Sequence, residues 1–175
     1  GIPMVYVSHT ISEVMVLANQ ALVLANGQQV ALGTPKKVLL KTPVLPLVDP
    51  THLETLLEGR VVAQHPTSGT TEAEFGGFTL WLPAIDRDRG EPITVSVQAS
   101  DVMVAVEAPP GLSARNVLKA TVSALNRVGD IVIVTADAGK PVLANITPEA
   151  TTSLDLQPGA EVYLVLKASS VVLLG

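Results

Sequence analysis

Two short segments concentrate side chains able to hold a small anion. Leu112-Ser113-Ala114-Arg115-Asn116 carries a hydroxyl, a guanidinium and an amide, and Leu166-Lys167-Ala168-Ser169-Ser170-Val171 carries an ammonium followed by two hydroxyls. Hydroxyls and amides donate neutral hydrogen bonds, whereas Lys and Arg add shorter and stronger charge-assisted ones. Taken singly, each residue has an ordinary alternative: Ser169 and Ser170 end a strand, Lys167 is a solvated charge, and Arg115 pairs with a surface carboxylate. The three histidines are His9, His52 and His65. None stands at metal-ligand spacing from another, and the chain has no Cys. No metal site and no disulfide are therefore expected. Nor is there a Ser-His-Asp pattern.

The elements that must position these residues are aliphatic. Of 175 residues, 47 % are hydrophobic but only 3 % aromatic, so the core is built on Val, Leu, Ile and Ala. The formal net charge is −5 and the aromatics amount to one Trp, two Tyr and two Phe. A nucleic-acid binder needs a basic face, and single-strand binders stack bases on aromatics, so no nucleic-acid partner is expected. Apolar runs break within about ten residues, short of the roughly 20 that span a bilayer, so no membrane insertion is expected.

Along the chain, residues 4 to 7 read as a buried strand, and a strand at the very start suggests a domain that was cut. Thr10 and Glu13 fit a capping box, and Ile11, Val14, Leu17 and Ala18 give the apolar stripe of a helix running to about Asn19. Asn26-Gly27 between two β-prone runs predicts a hairpin over 21–25 and 28–32. Thr34 as N-cap with Pro35 at the first position predicts a short helix to about Leu40. Pro43, Pro46 and Pro50 make 42–52 a linker, because a dense run of prolines forbids both helix and sheet pairing.

Beyond it the sequence predicts short strands at 53–64, 77–82, 92–98, 101–107, 115–126, 130–136, 140–146 and 160–174, with Thr147-Pro148-Glu149 opening a short helix. Trp81 reads as a half-buried strand residue. Many short strands with regular turns argue a small β barrel or sandwich. This half also repeats itself: Val97-Gln98-Ala99-Ser100-Asp101-Val102 aligns with 166–171, and 59–63 aligns more weakly with 120–124. The reading is two related β modules, 53–110 and 111–175. Modules this small bury little surface alone, so they are expected to pack together or exchange strands.

The N-terminal block, Val5-Tyr6-Val7-Ser8-His9-Thr10-Ile11-Ser12-Glu13, then 21–28, then Gly33-Thr34-Pro35, resembles the ATPases of ABC transporters. The resemblance implies that 1–41 are a small α/β remnant of such a nucleotide-binding domain, with His9 as the switch histidine that contacts the γ-phosphate. The sequence has no phosphate-cradling Gly-x-x-x-x-Gly-Lys-Ser/Thr loop and no metal-holding carboxylate before His9. This chain is therefore not expected to hydrolyse ATP. ATP and Mg belong to the parent protein.

The C-terminal block resembles the molybdate-binding molbindins, or Mop domains, of the wider TOBE group. The residues that carry it are 112–116, then Ala144-Asn145-Ile146-Thr147-Pro148-Glu149-Ala150, then 166–171. The resemblance implies a mainly β fold of tandem OB-like barrel modules that binds molybdate or tungstate at an interface between modules. It also implies the ligands: Ser113, Arg115, Asn116, Lys167, Ser169 and Ser170, backbone N–H groups beside Ala168, and Thr147 as a weaker candidate. A tetrahedral dianion has no proton to donate, so it needs many donors and limited positive charge, which this set supplies. The first module departs from the pattern, with Gln98 in place of Lys167 and Asp101 in place of Ser170. A carboxylate repels a dianion, so this copy is expected to bind none and to be structural or to form one wall of the site.

Together the resemblances imply a regulatory domain of a molybdate-importing ATPase. That parent is a homodimer on the cytoplasmic face of the membrane, working with a membrane permease subunit. The alternative is a ligand-free TOBE module that supports dimerisation or binds a regulatory protein.

Overall fold

The computed structural model describes residues 3–8, 13, 14, 17–39 and 53–174. They fall into two compact units, Gly1–Leu53 and Glu54–Gly175. In the first unit, β1 (Ala21–Ala25) and β2 (Gln28–Gly33) form the expected antiparallel hairpin. Asn26 at φ 50° and Gly27 at φ 76° both occupy the left-handed region that a tight hairpin turn demands. Helix α1 (Pro35–Leu39) follows, its first turn closed by Lys37 and Val38 N–H groups donating to Thr34 O. Val38 is buried with Ala31 against Val23 and Val30.

Residues 13, 14 and 17 are helical as expected, and the Ala18 N–H donates to Val14 O at 3.0 Å. The strand expected at 4–7 does not form. Val5 is 94 % exposed, and a strand without a hydrogen-bonded neighbour has no ladder to hold it. His9, Thr10, His52 and the whole of the Pro-rich stretch 42–52 lie outside the described residues.

The second unit is mainly β. Its strands are β3 (Glu54–His65), β4 (Thr70–Glu74), β5 (Thr79–Pro83), β6 (Pro92–Gln98), β7 (Met103–Ala105), β8 (Asn116–Val128), β9 (Ile131–Asp137), β10 (Pro141–Ile146), β11 (Glu161–Leu166) and β12 (Val171–Leu174). Helix α2 (Pro148–Ser153) lies between β10 and β11. Two five-stranded antiparallel sheets result, ordered β12-β6-β3-β4-β5 and β10-β9-β8-β11-β7. The run expected as one strand over 160–174 is broken by a 3-10 turn at Ala168–Ser170, because β11 and β12 belong to different sheets and the chain must be redirected between them.

The topology is a strand exchange between two copies of one module. Strand β7 follows β6 in sequence but pairs with β11, and β12 follows β11 but pairs with β6. The copies agree in fine detail. Each long first strand carries a bulge, between Val61 and Ala63 in one and between Val122 and Ala124 in the other. Val61 N–H donates to Glu91 O and its carbonyl accepts from Gly90, while Val122 N–H donates to Ala160 O and its carbonyl accepts from Gly159. A 3-10 turn at Ala99–Asp101 mirrors that at Ala168–Ser170.

One continuous aliphatic core serves both copies. Leu57, Val61, Phe75, Leu80, Leu82, Val95 and Val97 from one pack with Leu118, Val122, Val134, Val142, Leu164 and Leu166 from the other. On β8 burial alternates strictly through its first half, the period-2 pattern of a sheet with one covered face. Among the described residues no helix is long and apolar enough to cross a membrane.

Candidate functional site

The β8/β11 ladder ends on the pair Asn116 and Leu166. The next residue outward on each strand is Arg115 and Lys167, so the two cations leave adjacent strands at the same end. Both are exposed. Lys167 caps the 3-10 turn Ala168–Ser170, where the Ser170 N–H donates to Lys167 O at 3.1 Å and the Val171 N–H donates to Ala168 O. The first N–H groups of such a turn have no acceptor inside it and are open to an outside one. Ser113 is exposed two residues before Arg115, in the connection that leads into β8.

Strand β5 of the first module borders this corner, and the Ala168–Ser170 turn packs against it. Asn116 is 2 % exposed and behaves like a strand neighbour of β5. Its Oδ1 accepts from Trp81 N–H at 2.7 Å and its Nδ2 donates to Trp81 O at 2.9 Å. The Arg115 guanidinium lies 4.0 Å from the centre of the Trp81 ring. On the same ring His65 sits 4.7 Å away, tilted by 40°, and its Nε2 is 3.4 Å from Glu72 Oε2. Thus Arg115, Asn116, Lys167 and the Ala168–Ser170 turn converge around β5.

Thr147 is elsewhere. It follows β10, which packs against the other 3-10 turn, Ala99–Asp101. Its Oγ1 accepts from the Ala150 N–H at 3.1 Å as the N-cap of α2. His9 lies outside the described residues. Among the described residues no cluster of His, Asp and Glu is arranged to hold a metal ion.

The repeat supplies an internal comparison. Bulges and ladders place Thr55 where Asn116 stands, Glu54 where Arg115 stands, and Leu143 where Trp81 stands. The clamp on the edge strand is conserved in kind, since Thr55 Oγ1 accepts from the Leu143 N–H at 2.9 Å. The chemistry beside it is not. The corner of the first module carries Glu54, Gln98 and Asp101 in place of Arg115, Lys167 and Ser170. Sequence reading missed the roles of Trp81 and Thr55. Extending the weak 59–63 to 120–124 alignment back to residue 55 is the signal that finds the second.

Comparison with known proteins follows the same division. The family model described as "TOBE domain" matches residues 112–173. Residues 112–173 are thus similar to TOBE domains. Over 97 % of its length it is 35 % identical to the "Molybdenum import ATP-binding protein ModC" of Mesorhizobium japonicum, covering 46 % of that protein. It is 32 % identical over 98 % of its length to the protein of the same name from Escherichia coli strain K12, covering 49 % of it. The chain thus spans about half the length of these relatives and corresponds to their C-terminal part. A solved structure of the "cytoplasmic molybdate-binding protein ModG", in a form with molybdate bound, matches with a TM-score of 0.57 and 26 % identity. The match covers 68 % of this chain and 94 % of that one. The mainly β, OB-like architecture is therefore that of a known molybdate-binding protein. The TOBE-like segment is also not self-contained, because its last strand, β12, pairs with β6 outside it.

Proposed function

We propose that this chain is the oxyanion-binding regulatory part of a molybdate or tungstate import ATPase. One observation carries the reading: Arg115 and Lys167 emerge side by side at the end of the β8/β11 ladder, next to the Ala168–Ser170 turn. Two cations balance a dianion. Ser113, Ser169 and Ser170 hydroxyls and the N–H groups of Ala168 and Ser169 supply the neutral donors that a tetrahedral oxyanion needs. In this arrangement Asn116 holds the site to β5 rather than contacting the anion, and Thr147 remains the weaker candidate. The first module, with Glu54, Gln98 and Asp101, holds no anion of its own.

In the parent protein, 1–41 belong to the nucleotide-binding domain, with His9 as its switch histidine, followed by a linker at 42–52 and the two modules at 53–110 and 111–175. ATP and Mg bind only in the complete nucleotide-binding domain, and this chain does not hydrolyse ATP. The parent works as a homodimer with a membrane permease on the cytoplasmic face. Oxyanion favours one arrangement of its regulatory domains, and transport slows as cytosolic oxyanion rises; such coupling requires differential affinity for the two arrangements.

Calorimetric titration of this chain with molybdate tests the reading. The wild type is expected to bind, and Lys167→Ala to weaken binding by at least roughly tenfold, the scale of one lost charge-assisted hydrogen bond. No heat and no thermal shift at millimolar molybdate would sink it and leave the ligand-free dimerisation or protein-interaction module as the function.

A further inference from the structure

We infer that Trp81, a residue of the first module, is the platform that positions Arg115 for the anion; this rests on the oxyanion reading above. The edge-strand clamp appears twice, as Asn116 on Trp81 and as Thr55 on Leu143. It is therefore a property of the fold. The stacked pair appears once, at the corner that also carries Lys167. At the matching corner Leu143 replaces the aromatic and Glu54 replaces the cation. An aromatic platform occurs only where there is a guanidinium to place.

Trp81 is itself held from three sides. Its main chain is gripped by Asn116 and paired with Glu72 of β4, and its ring lies against His65, which reaches Glu72. Arg115 is exposed and would otherwise sample many rotamers. With its guanidinium 4.0 Å from the ring centre, those rotamers are restricted while the edge N–H groups stay free to donate in the guanidinium plane. Ordering the donor in advance lowers the entropic cost of binding. The first module thereby supplies one wall of the site without contributing a ligand.

The test uses the whole chain and molybdate as the probe. Trp81 is the single tryptophan of the sequence, so its emission reports on this stack alone. Molybdate is expected to shift or quench that emission along the same isotherm that calorimetry gives. Trp81→Leu is expected to weaken binding roughly tenfold, and Trp81→Phe to recover most of it because a ring face is retained. A purely structural role would lower the melting temperature without this rescue in affinity. If the wild type binds and Trp81→Leu binds equally well, the platform role is wrong while the oxyanion reading stands. If Trp81→Leu does not fold, wild-type emission decides, and no change at calorimetric saturation overturns the inference. If the wild type gives no heat, both readings fall.

Discussion

Gly59 and Phe75 are a fitted pair that exists in only one of the two modules. A Cβ built on Gly59 would collide with the Glu74 carbonyl oxygen and would stand 2.5 Å from the Phe75 ring. Phe75 is fully buried in the shared core. The corresponding residues of the other copy are Ala120 and Ala138, so bulk is divided evenly there and concentrated on one side here. Gly59→Ala is therefore expected to cost about 3 kcal/mol, the upper range for overpacking, read as a lower urea midpoint. Phe75→Ala alone should cost about 4 kcal/mol through the cavity it leaves. In the double variant the contact with the ring is relieved while that with the Glu74 carbonyl remains, so the total should fall short of the sum by the ring's share of the clash. Strict additivity in this cycle would mean that the two residues do not share the space. From sequence Gly59 reads only as a weak strand residue, because its requirement lies in the Glu74 carbonyl and the Phe75 ring at the end of the neighbouring strand.

The secondary elements divide into those whose signal is local and those whose signal is imposed by a partner. The β1/β2 hairpin, α1 and α2 are local: Asn-Gly fixes one, and Thr-Pro fixes each of the others. Since the α2 cap is a single hydrogen bond from Ala150 to Thr147, Thr147→Ala should cost about 1 kcal/mol of stability. Unchanged molybdate affinity in that variant would remove Thr147 from the ligand set. Strand β4, Thr-Thr-Glu-Ala-Glu, escaped sequence reading because Ala and Glu are poor strand formers; its place is fixed by pairing with β3 and β5. Its repeat partner β9, Ile-Val-Ile-Val-Thr-Ala-Asp, is plain, and the repeat was the available route to β4. The strand exchange is likewise set by partners. Residues 107–175 alone would leave β11 without β7 and β12 without β6. That segment is expected to be unfolded or oligomeric by circular dichroism and light scattering, and a cooperatively folding monomer would contradict the exchange as a requirement for stability.

At the scale of the whole molecule, a duplicated fold carries two corners of opposite charge. The β ladders, bulges and edge-strand clamps match between copies, so the difference rests on a few side chains. Two of these, Gln98 for Lys167 and Asp101 for Ser170, were legible in the sequence because the repeat is strong there. The third, Glu54 for Arg115, was not, because the alignment weakens toward the start of β3 and only the hydrogen-bond register fixes it. If backbone geometry is supplied equally to both corners, restoring the side chains should restore the chemistry. The triple variant Glu54→Arg, Gln98→Lys and Asp101→Ser places at the first corner the counterparts of Arg115, Lys167 and Ser170. Its calorimetric stoichiometry with molybdate is expected to double relative to the wild type. The new site should be the weaker by roughly tenfold, since Leu143 offers no ring face for the introduced guanidinium. Adding Leu143→Trp should then narrow the gap. A triple variant that folds with an unchanged melting temperature and unchanged stoichiometry would mean that the corner geometry, rather than these charges, decides where the anion binds.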